Sequence, residues 1–283
     1  MISVRIRDFE VSNKLPFVFI GGPCAIESRE HSEFIGGEIK AICADLGINY
    51  IFKSSFDKAN RTSISGKRGV GMKQGLEILG HVREKLNVPV LTDVHLPDQC
   101  AVVAAVVDIL QIPAFMCRQT DLLAAAAATG KVVNVKKGQF VSPYDMQNVV
   151  TKLRYHGAEN IMLCERGTFF GYGNLVNDFR GIPIMAIDGY PVIFDATHST
   201  QKPSSRGDAS GGEREFAPIL ARAAVAVGVA GVFMEVHEKP DEAPCDGANM
   251  LYLRDLKQVL TELLEIDVVA KKYMRALVSS ANS

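Results

Sequence analysis

The sequence lacks an excess of charge of either sign. Its 283 residues include 31 lysines and arginines and 32 aspartates and glutamates, which gives a formal net charge of −1. Proteins that bind nucleic acid in bulk normally carry a basic excess, so this balance argues against that class. The sequence also lacks a membrane-spanning apolar run, because its most apolar segment, residues 217–234, is interrupted by Pro218, Arg222 and glycines. We therefore expect neither a nucleic-acid-binding protein nor a membrane protein.

Two further absences concern export and disulfides. The N-terminal residues are interrupted by charges every few positions and do not form the apolar core of a secretory signal. The cysteines, at positions 24, 43, 100, 117, 164 and 245, include no CxxC pair. A disulfide framework is not expected in a chain of this size without an export signal. We predict a cytoplasmic protein whose cysteines are mostly buried free thiols.

Apolar residues are plentiful, at 47% of the chain with a mean hydropathy of +0.10, which is enough for a large core and excludes disorder as the dominant state. Short apolar or β-branched runs alternate with amphipathic stretches. The runs cover residues 17–22, 49–55, 88–94, 109–115, 132–137, 160–166, 191–198 and 231–237. They are nearly continuous rather than alternating, which is typical of parallel strands buried on both faces.

The amphipathic stretches predict helices over residues 30–46, 71–86, 97–107, 120–129, 143–156, 174–184, 211–227 and 253–264. Eight strand–helix units in about 250 residues predict an α/β fold, the (β/α)8 TIM barrel. An open doubly wound sheet is the main alternative. It would require a GxGxxG fingerprint after the first strand, where this sequence has GGPCAIES (21–28).

The segments outside the barrel are short. Residues 2–12 alternate between apolar and polar and predict a β-hairpin that caps the N-terminal end of the barrel. Residues 17–264 form the predicted barrel, and residues 265–283 a further helix and tail. Because no linker or low-complexity segment interrupts the pattern, we predict a single domain over residues 1–283.

Cations follow the ends of the predicted strands, where the active site of a TIM barrel forms. Strands two to six contribute Lys53, Lys58, Arg61, Arg118, Lys136 and Arg166. Such a concentration of positive charge in a protein with a net charge of −1 suits an anionic substrate, such as a phosphate or a carboxylate. The alternative is that these side chains are solvated or paired with nearby carboxylates. This alternative explains any single residue better than it explains all six together.

A second set of residues is far apart in sequence but meets if the barrel closes, since closure places the last strand beside the first. This set is Cys24, His198, Glu235 and Asp246. One sulfur, one imidazole nitrogen and two carboxylates suit a divalent metal ion of intermediate softness, such as Zn, Fe(II) or Mn. Structural roles are the alternative, with Cys24 in the core, His198 as a neutral hydrogen-bonding residue and Glu235 paired with a cation.

Specific motifs extend over nearly the whole chain. They are GGPCAIES (21–28), FKSSFDKANRTS (52–63), QIPAF (111–115), CRQTDLL (117–123), NVKKGQF (134–140), ERGTFFGYGNLVND (165–178), FDATHS (194–199) and SGGEREF (210–216). On these motifs the chain resembles the 3-deoxy-manno-octulosonate 8-phosphate synthase family. The sister family, the 3-deoxy-arabino-heptulosonate 7-phosphate synthases, usually has a KPRTS-type loop after the second strand, where this chain has KANRTS.

The resemblance implies a reaction in which phosphoenolpyruvate, arabinose 5-phosphate and water give 3-deoxy-manno-octulosonate 8-phosphate and inorganic phosphate, for the inner core of lipopolysaccharide. It implies that phosphoenolpyruvate is held by Lys53, Ser55, Lys58, Gln111, Ala114, Lys136 and Arg166. It implies that arabinose 5-phosphate is held by Asn60, Arg61, Thr62 and Asp93. It also implies a homotetramer, in which Arg118 reaches the sugar phosphate of a neighbouring subunit. Thr62 replaces the more usual Ser but keeps the hydroxyl.

The family has a metal-dependent branch, with Cys at the first ligand position, and a metal-independent branch, with Asn there. Cys24 places this chain with the metal-dependent branch, although Cys245-Asp246-Gly247 is similar to a triplet typical of the other branch. We give Cys24 more weight because it would touch the ion. The resemblance then implies the ligands Cys24, His198, Glu235 and Asp246, and catalytic residues that are Cys24, Lys58, Asn60, His198 and Asp246.

Other functions remain open from the sequence alone. The sister reaction would use erythrose 4-phosphate in place of arabinose 5-phosphate. A Schiff-base aldolase would use Lys136 or Lys53 as its nucleophile, since barrels host both chemistries. A sugar-phosphate sensor would bind the same anions without turnover.

Overall fold

The computed structural model describes residues 1–60, 66–169, 174–202 and 211–281 of the chain. An N-terminal antiparallel hairpin is formed by β1 (Val4–Ile6) and β2 (Phe9–Val11). Eight longer strands follow: β3 (Val18–Gly22), β4 (Tyr50–Lys53), β5 (Val90–Asp93), β6 (Ile109–Ile112), β7 (Val132–Lys136), β8 (Ile161–Glu165), β11 (Val192–Asp195) and β14 (Gly231–His237). Each of them lies within one of the eight apolar runs of the sequence.

These eight strands form a closed parallel barrel. Strands β3 to β8 pair in sequence order, β11 pairs with β8, and β14 pairs in parallel with both β11 and β3. The closing register places Glu235 of the last strand opposite Gly22 of the first. The predicted TIM barrel is therefore confirmed.

The N-terminal end of the barrel is filled by the hairpin. Val4, Ile6 and Val11 are buried in one cluster with inward-facing strand residues such as Ile20 and Ile51. A second, larger cluster lies between the strands and the surrounding helices. Burial on both faces of each strand explains why the strand sequences are continuously apolar, and the position of the hairpin confirms the predicted cap.

The helices surround the barrel. They are α1 (Arg29–Leu46), α2 (Met72–Lys85), α3 (Pro97–Ala104), α4 (Thr120–Ala127), α5 (Met146–Tyr155), α6 (Gly181–Met185), α7 (Ala196–Ser199), α8 (Phe216–Val227) and α9 (Leu253–Ala281). Helix α1 begins after Ser28, whose side chain accepts a hydrogen bond from the His31 backbone N–H. It ends at Gly47, which has a left-handed backbone with φ of 68°.

Four small strands are added to the loops at the mouth of the barrel. Strands β9 (Thr168–Phe169) and β10 (Leu175–Val176) pair with each other, as do β12 (Gln201–Lys202) and β13 (Gly211–Gly212). A further strand, β15 (Leu251–Tyr252), pairs with the end of β14. Single-turn 3₁₀ helices occupy residues 114–116, 143–145 and 240–242.

Three sequence-based boundaries are wrong. The helix predicted over residues 174–184 is replaced by strand β10 and the short helix α6, and the helix predicted from residue 211 begins at Phe216 because residues 211–212 pair with β12. The seventh strand ends at Asp195 rather than at His198, which lies on α7.

The C-terminal helix is longer than the sequence suggests. Helix α9 runs without a break over the boundary predicted between residues 264 and 265. It buries Asp267 and Lys271 against the start of the barrel. Within the described part of the chain, no helix combines the length and the apolar character needed to cross a bilayer.

Candidate active site

The site begins with the close approach of β3 and β4. A Cβ atom at Gly22 would lie 2.2 Å from the Lys53 carbonyl oxygen, so only glycine allows the two strands to approach at this point. The chain then turns through Pro23 into Cys24, whose carbonyl accepts a hydrogen bond of 3.2 Å from Lys53 Nζ. The GGPC motif therefore places a buried thiol at the barrel mouth.

The first ion pair of the site joins β4 to β14. Lys53 Nζ lies 2.7 Å from Glu235 Oε1, and both side chains are about 1% exposed. Lys58 Nζ lies 3.6 Å from the same oxygen. The other oxygen, Glu235 Oε2, is buried without a hydrogen-bond partner among the described residues. An orphaned carboxylate oxygen in a buried site is a position where a cation can bind.

The second ion pair joins β7 to β11 and extends to His198. Lys136 Nζ lies 2.6 Å from Asp195 Oδ2, and His198 Nδ1 lies 2.8 Å from the same oxygen. Asp195 also caps α7 by accepting a hydrogen bond of 3.0 Å from the His198 backbone N–H. One buried carboxylate therefore orients both a lysine and the imidazole ring, whose Nε2 lies 3.7 Å from Glu235 Oε1.

A third chain of contacts contains Arg166, whose guanidinium forms no ion pair with another described residue. Arg166 is buried, and its Nη2 donates a hydrogen bond of 2.9 Å to Gln201 Oε1. The Gln201 amide nitrogen donates in turn to Asp246 Oδ1 at 3.1 Å. Arg166 Nη1 is buried and has no hydrogen-bond partner in the part of the chain that the structure describes. A guanidinium held in this way is suited to bind an anion.

The middle of the mouth is a hydrogen-bonded row across β4 to β7. Asp93 accepts from Ser55 Oγ at 2.5 Å and from Gln111 Nε2 at 2.9 Å. The Gln111 oxygen accepts a hydrogen bond of 2.9 Å from Asn134 Nδ2. The Gln111 amide is therefore oriented by partners on both sides, and its nitrogen points towards Asp93.

Electrostatics keep the carboxylates of this site ionised. Burial alone would raise the pKa of Glu235, but the charges of Lys53, His198 and Lys58 outweigh burial and hold the pKa well below its ordinary range. The pKa of Asp195 is lowered against burial in the same way, chiefly by His198 and Lys136. Burial alone would lower the pKa of Lys136, but the Asp195 charge raises it instead. The lysine and its partner are thus both charged at neutral pH.

The four residues predicted as metal ligands do meet at the mouth. Ligand atoms of His198, Glu235 and Asp246 lie within 4.8 Å of one another, and so do those of Cys24, Cys245 and Asp246. Asp246 belongs to both groups, since its Oδ2 lies 3.2 Å from Cys24 Sγ. Together with the orphaned oxygen of Glu235, this donor set fits a divalent cation with mixed sulfur, nitrogen and oxygen ligands.

A neighbouring cluster fits a metal ion less well. Ligand atoms of Glu27, His31 and His237 also lie within 4.8 Å of one another. His237 Nδ1 accepts a hydrogen bond from the Lys239 backbone N–H at 2.9 Å, so Nε2 carries the proton that faces Glu27 Oε1 at 2.8 Å. Both ring nitrogens of the neutral imidazole are therefore occupied, which gives His237 a satisfied polar role.

Other predicted residues take no part in the contacts described above. Asn60 and Arg118 are exposed, and the Arg118 carbonyl accepts a hydrogen bond from Lys152. Ala114 lies in the 3₁₀ turn after β6, with its carbonyl facing the Cys117 N–H. Arg61 and Thr62 lie outside the described residues.

Three residues at the centre were not singled out from the sequence. Asp195 had a usable signal, because an aspartate at the point where a strand passes into a helix is a common N-cap. Cys245 was noted only as part of a triplet, but its Sγ lies 2.6 Å from Cys24 Sγ. Gln201 has no local signal, since its importance comes from partners 35 and 45 positions away.

Comparison with known proteins identifies the family of the chain. The sequence profile described as the DAHP synthetase I family matches residues 2–272. The chain belongs to this family. It is 58% identical over 268 residues to "2-dehydro-3-deoxyphosphooctonate aldolase" of Granulibacter bethesdensis, with 95% of each chain covered. Proteins with the same name from Bartonella henselae and a Cyanothece strain are 55% and 58% identical, over 95% and 94% of this chain and 96% and 98% of theirs. The resemblance to octulosonate phosphate synthases is thus confirmed.

Proposed function

We propose that this enzyme condenses phosphoenolpyruvate with arabinose 5-phosphate and water, giving 3-deoxy-manno-octulosonate 8-phosphate and inorganic phosphate for lipopolysaccharide inner-core synthesis. The vinyl carbon of phosphoenolpyruvate bonds to the aldehyde carbon of the sugar. Water adds to the carbon that carried the phosphate, and inorganic phosphate leaves. The name that these relatives share, 2-dehydro-3-deoxyphosphooctonate aldolase, refers to the same octonate phosphate and supports this choice.

The observation that carries the proposal is the buried Arg166 guanidinium, whose Nη1 is without a partner among the described residues. Lys136 lies at the end of the adjacent strand, and its charge is held by Asp195. Two fixed cations at a water-poor mouth bind the phosphate of phosphoenolpyruvate and stabilise the charge that develops when it leaves. Lys53 and Lys58 both lie near Glu235 Oε1. Lys53 suits the carboxylate of phosphoenolpyruvate, and Lys58 suits its phosphate.

The Asp93 carboxylate, beside these cations, suits the sugar. Asp93 is buried, and burial alone would raise its pKa, but Lys53, Lys58 and Lys136 hold the pKa below its ordinary range. An ionised carboxylate of this kind accepts hydrogen bonds from sugar hydroxyls. We assign the sugar phosphate to Asn60, Arg61 and Thr62, and to Arg118 of a neighbouring subunit.

We assign a divalent metal ion to Cys24, His198, Glu235 and Asp246, which places the enzyme in the metal-dependent branch. A bound ion of this kind polarises a carbonyl oxygen and orients substrates. Burial, followed by the contact with Cys245, raises the pKa of the Cys24 thiol, so the ion would bind with loss of that proton. Asp195, in contact with Nδ1 of His198, leaves Nε2 as the ligand atom.

We also propose a homotetramer. Large apolar side chains are exposed on the loops after β6, β7 and β8, and they include Phe115, Phe140, Tyr144 and Phe169. Arg118 is exposed on the same side of the barrel. Exposed apolar side chains and an exposed arginine on loops at this end of the barrel suit an interface that delivers the arginine to the neighbouring mouth. The six free cysteines suit a reducing compartment, which we take to be the cytoplasm.

Release of inorganic phosphate tests the reaction. We expect release only when phosphoenolpyruvate and arabinose 5-phosphate are present together, and slower release with erythrose 4-phosphate. A preference for erythrose 4-phosphate would move the chain to the sister reaction. Trapping of a covalent substrate adduct by borohydride would favour the Schiff-base aldolase, and binding without turnover would favour the sensor.

Chelation tests the metal. We expect exhaustive chelation to abolish phosphate release and added Zn²⁺, Fe²⁺ or Mn²⁺ to restore it. We expect Cys24→Asn to be less sensitive to chelators than the unchanged protein, because Asn occupies this position in the metal-independent branch of the family. Full activity of the exhaustively stripped, unchanged protein would contradict the assignment.

A further inference from the structure

Gln201 links the two halves of the site by a single amide. It lies on β12, three residues after His198, and β12 is held by antiparallel pairing with β13. Its amide oxygen accepts from Arg166 Nη2 at 2.9 Å, and its amide nitrogen donates to Asp246 Oδ1 at 3.1 Å. The side chain therefore bridges the proposed phosphate-binding arginine and a proposed metal ligand.

The bridge joins two opposite charges that do not pair directly. Elsewhere at the mouth such charges are in contact, as in Lys53 with Glu235 at 2.7 Å and Lys136 with Asp195 at 2.6 Å. Burial lowers the pKa of Arg166, and the charges of Asp195 and, more weakly, Asp246 oppose that effect. A direct ion pair between Arg166 and Asp246 would neutralise both charges. It would also occupy guanidinium donors and carboxylate acceptors that could otherwise bind ligands.

The chemistry of the two partners fixes which residue type can fill this position. A guanidinium has only donors and an ionised carboxylate has only acceptors, so the bridging group must accept at one end and donate at the other. A glutamine amide does both while remaining neutral. A glutamate would pair with Arg166 and repel Asp246, and a lysine would do the reverse.

We propose that Gln201 is a positioning residue that keeps Arg166 and Asp246 apart, so that the guanidinium stays available to the substrate phosphate and the carboxylate to the metal ion. This inference rests on the proposed function, which supplies both ligands. Through Arg166 the residue controls the affinity for phosphoenolpyruvate, and through Asp246 it controls the affinity for the cation. Neither effect requires Gln201 to touch a reacting atom.

The phosphate side is tested with Gln201→Glu, which preserves the shape of the side chain and adds a charge beside Arg166. We expect its dissociation constant for phosphoenolpyruvate, measured by calorimetry in the absence of sugar phosphate, to rise about tenfold or more, because a charged hydrogen bond now competes for the guanidinium. The KM for arabinose 5-phosphate should stay within about twofold. Gln258→Glu, on the exposed face of α9, carries the same charge change far from the mouth and should bind phosphoenolpyruvate like the unchanged protein.

The metal side is tested with Gln201→Met, which has a similar length but no amide. We expect the dissociation constant for Zn²⁺, measured by competition with a chromophoric chelator, to rise about 10- to 100-fold, as is usual when a group that orients a metal ligand is lost. The midpoint of thermal unfolding of the metal-free protein reports whether the variant is folded. A fold-wide structural role would instead lower this midpoint and raise both KM values together.

The inference is overturned if Gln201→Glu binds phosphoenolpyruvate, and Gln201→Met binds Zn²⁺, within twofold of the unchanged protein. That result would leave the proposed function intact, provided that the unchanged protein releases phosphate from the two substrates. Absence of phosphate release from the unchanged protein would overturn the proposed function itself, whatever the binding constants of the variants.

Discussion

At the mouth of the barrel Lys136 lies 2.6 Å from Asp195, and at the opposite end Lys271 lies 3.6 Å from Asp267, with all four residues buried. The two pairs respond to burial in opposite ways. The pKa of Asp195 is lowered by its cations, whereas burial raises the pKa of Asp267 despite the nearby lysine. The pKa of Lys136 is raised, and that of Lys271 is lowered by burial.

The difference lies in what surrounds each pair. Several cations and anions at the mouth stabilise one another, so these side chains stay ionised although they are buried. At the base the pair is nearly isolated, and Lys271 donates mainly to the carbonyls of Asn13 and Val229, at 2.9 and 2.6 Å. Asp267 accepts from the Phe17 backbone N–H at 3.1 Å. The Lys271–Asp267 pair therefore connects α9 to the starts of β3 and β14, whereas the mouth holds several ionised side chains that can bind ligands.

The largest expected effect is on catalysis at the mouth. We expect Lys136→Met to lower the rate of phosphate release about 10²- to 10³-fold, because it removes a cation from the phosphate and leaves Asp195 without its lysine. A steady-state phosphate assay measures this change. Lys131→Met, just before the other end of β7, is the matched control and should keep its rate. An unchanged rate in Lys136→Met would show that the mouth pair is structural, like the base pair.

At the base we expect the loss to be in stability instead. Lys271→Met leaves two carbonyls without their donor and a buried carboxylate without its cation, so the free energy of unfolding should fall by about 3–5 kcal/mol. Urea unfolding measures the fall, and kcat and KM below the unfolding transition should not change. The exposed neighbour Lys272 provides the control, since Lys272→Met should shift stability by no more than about 0.5 kcal/mol. A catalytic defect in folded Lys271→Met would remove the distinction between the two ends.

Acidification should change the stability contributed by two buried aspartates, Asp93 and Asp267, in opposite directions. The pKa of Asp93 is lower in the folded state, so its stabilising effect is present above the unfolded value near 3.8 and is lost as the pH falls below it. The pKa of Asp267 is higher in the folded state, so its protonation favours folding as the pH falls. Between pH 6 and pH 3.5, Asp93→Asn should lose less stability than the unchanged protein, and Asp267→Asn should lose more. Equal losses in urea unfolding would contradict both pKa directions.

The smallest effect is expected for an ion pair on the surface. Lys257 Nζ lies 2.7 Å from Asp45 Oδ2 and joins α9 to α1, but both side chains are about 60% exposed, at 59% and 61%. Solvent screens such a pair, so Lys257→Met should change the free energy of unfolding by about 0.5 kcal/mol or less. A larger change would mean that burial does not explain why some ion pairs of this protein contribute more to stability than others.

Much of the fold could be predicted because the strands are buried on both faces. This burial leaves nearly continuous apolar runs, and the count of eight leads to the barrel. The hairpin of β9 and β10 could not be found in this way, since two-residue strands have no detectable period. His198 was assigned to a strand end because the polar residues after the apolar run were counted with the strand, although Asp195 is the cap of α7.

The site could be predicted in part. Barrel closure brings Cys24, His198, Glu235 and Asp246 together, as the order of the strands implies. The contacts that link the proposed metal ligands to the lysines and arginine could not be predicted from the sequence. Asp195 and Gln201 make these contacts across the mouth rather than with residues nearby in the chain. Sequence patterns report the local period of an element, whereas these contacts depend on the side-chain directions of neighbouring strands.

Strand β14, which hydrogen-bonds to both β11 and β3, also constrains how the protein is made. During synthesis the thiol of residue 24 leaves the ribosome long before residues 235 and 246 have been translated. A nascent chain therefore lacks the complete set of proposed metal ligands, Cys24, His198, Glu235 and Asp246, until its last barrel strand has docked.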